Sequence, residues 1–156
     1  MNPLVARVEA LEALFRHVEV TRMAGVPVLN RELRVEAVGF EPVAVEPGEA
    51  PAAVGVLLTP WFMNLVWLPL QTTDGGVGRM REREVGGVGF EFISAHEPGF
   101  GAYEACSLAS PMFEYGSQAQ ARATATAVLA ELRPVAPVSN ARRGFLFGRS
   151  AVEGRA

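Results

Sequence analysis

Lysine is missing altogether: all 14 basic residues are arginine, set against 17 acidic ones in 156 residues, for a formal charge of −3. A nucleic-acid binder usually carries a basic face, and this balance does not point to one. Cysteine occurs once, at Cys106, which excludes an internal disulfide and any cysteine zinc cluster. With only His17 and His96 beside it, the inventory is poor for a metal carrier, which needs several histidines or thiolates at ligand spacing. Gly75-Gly76-Val77-Gly78 and Gly86-Gly87-Val88-Gly89 match no dinucleotide or phosphate-cradling pattern followed by a helix, so they read as turns and strand ends. No cofactor is expected. The first residues carry no basic segment, and Glu9 and Glu12 interrupt what would be a signal's apolar core, so cytoplasmic residence is the expectation.

What is present is apolar: 49% of the chain against 20% charged, enough for one domain with a proper core. Ala50 to Thr73 contains no charge and is long enough to cross a bilayer. Pro60 and Pro69 lie inside it, however, and an interior proline costs a helix about 3 kcal/mol. Two buried strands broken at Thr59-Pro60 are expected instead, with no membrane insertion.

Asn2-Pro3 reads as an N-cap with proline at the first helical position. Leu4, Val8, Leu11, Phe15 and Val18, widened by Leu14, then form one stripe, with Arg7, Glu9, Glu12, Arg16 and Glu19 mostly on other faces. This predicts a helix over 3–23, stopped by Gly25 and Pro27. Strands are expected within 33–109: one through Leu33, Val35, Ala37 and Phe40 with an irregularity near Gly39, central runs at 54–58 and 62–68, and a charged edge strand at 79–85. A hairpin joins 88–95 to 102–109 and pairs His96 with Ala102. Ser117 and Gln120 form a capping box for a helix over 117–132, with Ala121, Ala125, Val128, Leu129 and Leu132 inward. Pro134 ends it. The class is α+β: an antiparallel sheet of five or six strands with the N- and C-terminal helices packed on one face, residues 1–133 as a single domain and 134–156 as an extended tail.

A thiol enzyme would need Cys106 activated by His96. In the expected hairpin four residues along the strand separate them, about 13 Å, too far for an ion pair. A buried small hydrophobe is the better reading of Cys106. A strand-end pocket near it, serving a small-molecule-binding or thiol-dependent enzyme, stays open as the alternative.

Three blocks are worded more specifically than packing requires. They are Val54-Gly55-Val56-Leu57-Leu58-Thr59-Pro60-Trp61-Phe62-Met63-Asn64, Cys106-Ser107-Leu108-Ala109-Ser110-Pro111-Met112, and Arg142-Arg143-Gly144-Phe145-Leu146-Phe147-Gly148-Arg149. In that order, over roughly residues 5 to 149, the chain resembles the HybE/HupJ family of [NiFe]-hydrogenase assembly chaperones. The resemblance implies a non-enzymatic protein that engages a precursor subunit of an uptake [NiFe]-hydrogenase. The small subunit with its twin-arginine signal peptide is the first expectation, the large-subunit precursor the second. Such a client needs an apolar groove for its hydrophobic stretch and acidic groups for its arginines.

Thr59, Pro60, Trp61 and Phe62 either plug the core or line that groove. Ser107, Ser110, Pro111 and Met112 leave a neighbouring strand end, and Met112 suits an adaptable peptide surface. Glu41, Glu46, Glu49, Glu97 and Glu104 are the anionic candidates. Arg142, Arg143, Phe145 and Phe147 are either a strap packed on the sheet, part of the client site, or an imitation of the client's own signal, which must itself be N-terminal to act in export.

Overall fold

The Asn2 side chain accepts the Leu4 N–H at 2.7 Å and Pro3 takes the first helical position, so α1 starts as its cap chemistry dictates and runs Pro3–Val20. The structure, a computed structural model, describes residues 2–133. The helix ends three residues sooner than its periodicity predicts. The Met23 N–H reaches back to the Val18 carbonyl at 3.0 Å, the six-to-one bond of a Schellman-type end, and the Thr21 hydroxyl donates to the His17 carbonyl at 2.6 Å.

Six strands come next: β1 Glu36–Val43, β2 Ala52–Leu58, β3 Met63–Pro69, β4 Met80–Val85, β5 Val88–Glu97 and β6 Gly101–Ala109, then α2 Gln118–Leu132. They form one sheet in the order β1-β2-β3-β6-β5-β4, antiparallel throughout. The charged strand β4 is an edge, as expected, and His96 pairs with Ala102 as expected. The irregularity near Gly39 is a register shift between Val38 and Glu41, made possible by the φ of +64° that glycine adopts freely. Leu33 and Val35 are buried but precede the paired part of β1. At the far edge Gly86 (φ +61°) and Gly87 (φ +80°) close the β4–β5 turn, and any side chain at Gly86 would run into the Leu132 backbone at the end of α2.

The helices do not share a face. All seven residues of β2 are buried, which requires cover on both sides. Val54, Val56, Leu58, Met63, Leu65 and Trp67 point toward α2 and meet Ala121, Ala125, Leu129 and Leu132. Leu57, Val66 and Leu68 point the other way and meet Leu11, Phe15 and Val18 of α1. The expectation of helices on one face is therefore corrected: the architecture is helix, sheet, helix.

Each helix is tethered by its polar groups. Ser117 accepts the Gln120 N–H at 3.1 Å, and Gln120 in turn accepts the Gly116 N–H at 2.7 Å, one residue before the cap the pattern implies. Arg7, expected on an outer face, is buried: its guanidinium donates to the Pro69 and Phe100 carbonyls at 2.9 and 3.0 Å and stacks 4.0 Å over the Phe100 ring. Burial holds its pKa below the ordinary value. Glu12 accepts the Ala37 N–H at 2.8 Å, which engages the β1 edge of the sheet and keeps α1 on that side.

Residues 134–156 lie outside the described residues, and with them Arg142, Arg143, Phe145 and Phe147.

Candidate binding groove

Thr59-Pro60-Trp61-Phe62 is the turn between β2 and β3. The buried Thr59 hydroxyl accepts the Trp61 and Phe62 N–H groups at 3.2 and 3.0 Å, and the Thr59 N–H donates to the Phe62 carbonyl at 2.9 Å. The Pro60 carbonyl accepts the Asn30 N–H at 2.8 Å. Thr59 and Pro60 are thus shape-giving residues buried inside the turn. Trp61 and Phe62 are half-buried on the α1 side, where they join Phe15 and Tyr103 in an edge-to-face set. The centroid separations are 5.6 Å for Phe15–Phe62, 5.4 Å for Trp61–Phe62 and 6.2 Å for Phe15–Tyr103.

Beside this aromatic wall α1 stops covering the sheet. A groove of about 270 Å³ opens there, floored by Leu57, Val66, Ala95 and Ala105, walled by Phe15, Phe62, Ile93 and Tyr103, and given polar points by Asn64 and Ser107. Ile93 stands 49% exposed at its rim and Met80, its partner on β4, 59%, so the apolar surface continues to the edge strand. Mostly apolar lining with a few convergent polar groups is the ordinary make-up of a recognition groove.

Of the residues the sequence singled out, Phe62 and Ser107 line this groove and Trp61 packs beside it, with the Ser110 hydroxyl donating to the Trp61 carbonyl at 3.4 Å. Pro111 is exposed after a cis peptide bond at the margin. Met112 is elsewhere. It is fully buried in the core under α2, where Asn30 donates to its carbonyl at 2.9 Å, so it offers the groove no contact surface.

The expected anionic contacts also move. Glu49 and Glu104 both hold Arg83, at 2.8 and 2.7 Å, with the guanidinium 3.8 Å over the Trp67 ring on the α2 side. The Arg83 hydrogen bond holds the Glu49 carboxyl down at about 2, far below the usual range. Glu97 is taken by Arg22 at 2.8 Å and Glu41 by Arg133 at 3.5 Å. Among the described residues, Glu82, Glu84 and Glu91 have no ion-pair partner. Their strand positions alternate with the inward Arg83, Val85 and Phe92, which puts them on the groove side. Glu82 faces Glu91 directly across β4 and β5, a like-charge pair that costs stability unless a cation answers it. Sequence reasoning missed this trio because only the register reveals that they share a face.

Cys106 packs against the α2-side core, with a pKa raised by burial and then by the Glu91 charge. Neither it nor His96 lines the groove, and no group of three or more His, Cys, Asp and Glu among the described residues is placed to hold a metal ion. Among the described residues no helix is long and apolar enough to cross a membrane. The uncharged stretch is β2, its turn and β3.

Residues 6–148 match the family described as "[NiFe]-hydrogenase assembly, chaperone, HybE". Protein HoxT of Cupriavidus necator is 50% identical, with 96% of this chain and 93% of that protein covered. The hydrogenase expression/formation protein HupT of Azotobacter chroococcum is 40% identical over 91% of this chain and 94% of its own. The solution structure of HybE from Escherichia coli aligns with a TM-score of 0.59 at 20% identity, covering 92% of this chain and 90% of that one, which is a likeness of fold.

Proposed function

Since the chain belongs to the HybE family of [NiFe]-hydrogenase assembly chaperones, we propose that it acts in the cytoplasm by holding a precursor subunit of an uptake [NiFe]-hydrogenase, the small subunit through its twin-arginine signal peptide. The observation that carries this reading is the combination on one face: an apolar groove walled by Phe15 and Phe62, running out to Ile93 and Met80, with Glu82, Glu84 and Glu91 beyond its lining at strand positions of the same face. A signal peptide has the complementary order, an arginine pair followed by an apolar stretch. Arginine suits such a site because its planar fork gives each carboxylate two parallel hydrogen bonds.

The role needs no reacting group. The groove supplies area and charge, and release follows from the client's own folding or export. The thiol-dependent alternative loses its support here, because Cys106 lies on the opposite face with a raised pKa.

Co-purification tests the reading. The tagged chain, expressed with hydrogenase, should carry the small-subunit precursor, and Ile93→Glu should lose it while the protein stays folded. Recovery of the precursor lacking its signal peptide in equal amount would refute signal-peptide recognition, and recovery of the large-subunit precursor alone would reassign the client.

A further inference from the structure

We propose that the chain's own C-terminal segment, through Arg142-Arg143-Gly144-Phe145-Leu146-Phe147, docks in the same groove when no client is present, with its arginine pair on Glu82, Glu84 and Glu91. This rests on the reading of the groove as a peptide site but not on the identity of the client.

Three observations meet. The first is complementarity of order: the tail carries two arginines followed by Phe145, Leu146 and Phe147, and the groove face carries Glu82 and Glu91 one same-face step from Met80 and Ile93, with Glu84 a step further and the Phe62 wall across the groove. The second is the point of departure. The Leu132 carbonyl at the end of α2 lies against Gly86, in the turn that joins β4 to β5, so the chain leaves the described fold beside the acidic strands. The third is reach. Glu82 lies four residues along β4 from Gly86, about 13 Å, and rounding the sheet edge adds roughly 10 Å. The nine residues 134–142 can span up to about 30 Å.

Docking answers two costs visible on the face. The Glu82–Glu91 like-charge pair gains cations, and the exposed Ile93 and Met80 surface gains cover between clients. A tethered ligand acts at an effective concentration of up to about 1 mM, so a self-affinity near ~0.1 mM would lower client affinity about tenfold. A client signal then binds only by displacing the tail, which screens out weak apolar segments.

A nitroxide on Ser150→Cys, in full-length protein carrying Cys106→Ala, reads the contact directly. Amide signals of Ile93, Ala95 and Ser107 should broaden while that of Thr126 on the outer side of α2 does not, and Arg142→Glu with Arg143→Glu should restore them. In unlabelled protein the same reversal should raise the affinity of an arginine-pair signal peptide about tenfold. Absent broadening in the groove, or broadening untouched by the reversal, overturns the proposal. Broadening that the reversal lifts, together with a peptide that fails to bind either protein, upholds the docked tail and removes the client reading instead.

Discussion

The two faces of the sheet are built from the same strands and do opposite things. On the α2 side long side chains bridge distant parts of the sheet: Arg83 of β4 reaches the Trp67 ring of β3 and Glu49 in the β1–β2 loop, while Arg133 donates to the Gly39 and Val54 carbonyls. Large side chains there, Leu65, Phe92 and Met112 among them, are fully buried. On the α1 side the helix covers β1, β2 and β3 and reaches no further than Tyr103 of β6, and the same sheet ends in exposed Ile93 and Met80 beside unpaired carboxylates. One face holds the fold together, so the other is free to remain unsatisfied. An apolar, like-charged surface is tolerable only where stability comes from elsewhere.

Mutations should separate the two faces. Leu65→Ala, which empties a fully buried site on the α2 side, should cost about 2–5 kcal/mol in denaturant unfolding. A loss under about 1 kcal/mol would mean that this core is not where the stability lies. Arg83→Met leaves Glu49 and Glu104 without their cation. Because both carboxylates are partly exposed, the cost should be about 2–3 kcal/mol, below that of a fully buried pair.

The same cluster sets a pH dependence. The Glu49 carboxyl is held at about 2 when folded and has its ordinary value when unfolded. Its contribution is therefore fully present above the usual carboxylate range and is lost as pH falls toward 2. Acid titrations should show that loss in the wild type and not in Arg83→Met.

Ile93→Ser on the other face should change stability by less than about 0.5 kcal/mol yet weaken an arginine-pair signal peptide about tenfold, roughly 1.4 kcal/mol. The smallest functional effect belongs to Cys106→Ala, which should cost about 1 kcal/mol of stability and leave hydrogenase maturation intact. Lost maturation with unchanged folding would reopen the thiol chemistry.

Local signals were the legible ones. The Asn2 and Ser117 caps, the Gly39 irregularity, the charged edge strand and the His96–Ala102 register all follow from residues within a few positions of one another. The placement of the helices was not read, although its signal was present: the unbroken apolar runs of β2 and β3 lack the alternation of a sheet with one open face, and so imply cover on both sides. Arg7 was misplaced because its charge outweighed its period: three residues after Leu4 and four before Leu11 it lies within the stripe, and the Pro69 and Phe100 carbonyls satisfy its guanidinium there. Of the candidate site, Phe62, Trp61 and Ser107 were legible as blocks of wording. Met112 was not, since its face depends on the path of the chain after β6. The acidic trio required the β4–β5 register, and four of the five glutamates chosen from the sequence, Glu41, Glu49, Glu97 and Glu104, are already held by arginine.

The claim that recognition belongs to the α1-side groove is tested most directly by titrating a labelled sample of the protein with a synthetic small-subunit signal peptide and following its amide resonances. The account predicts saturable shifts at Phe62, Glu82, Glu91, Ile93, Ala95 and Ser107, with the α2 amides still. Shifts centred on α2 and the stacked Trp67 and Arg83, or a peptide that binds without moving the groove, would contradict it.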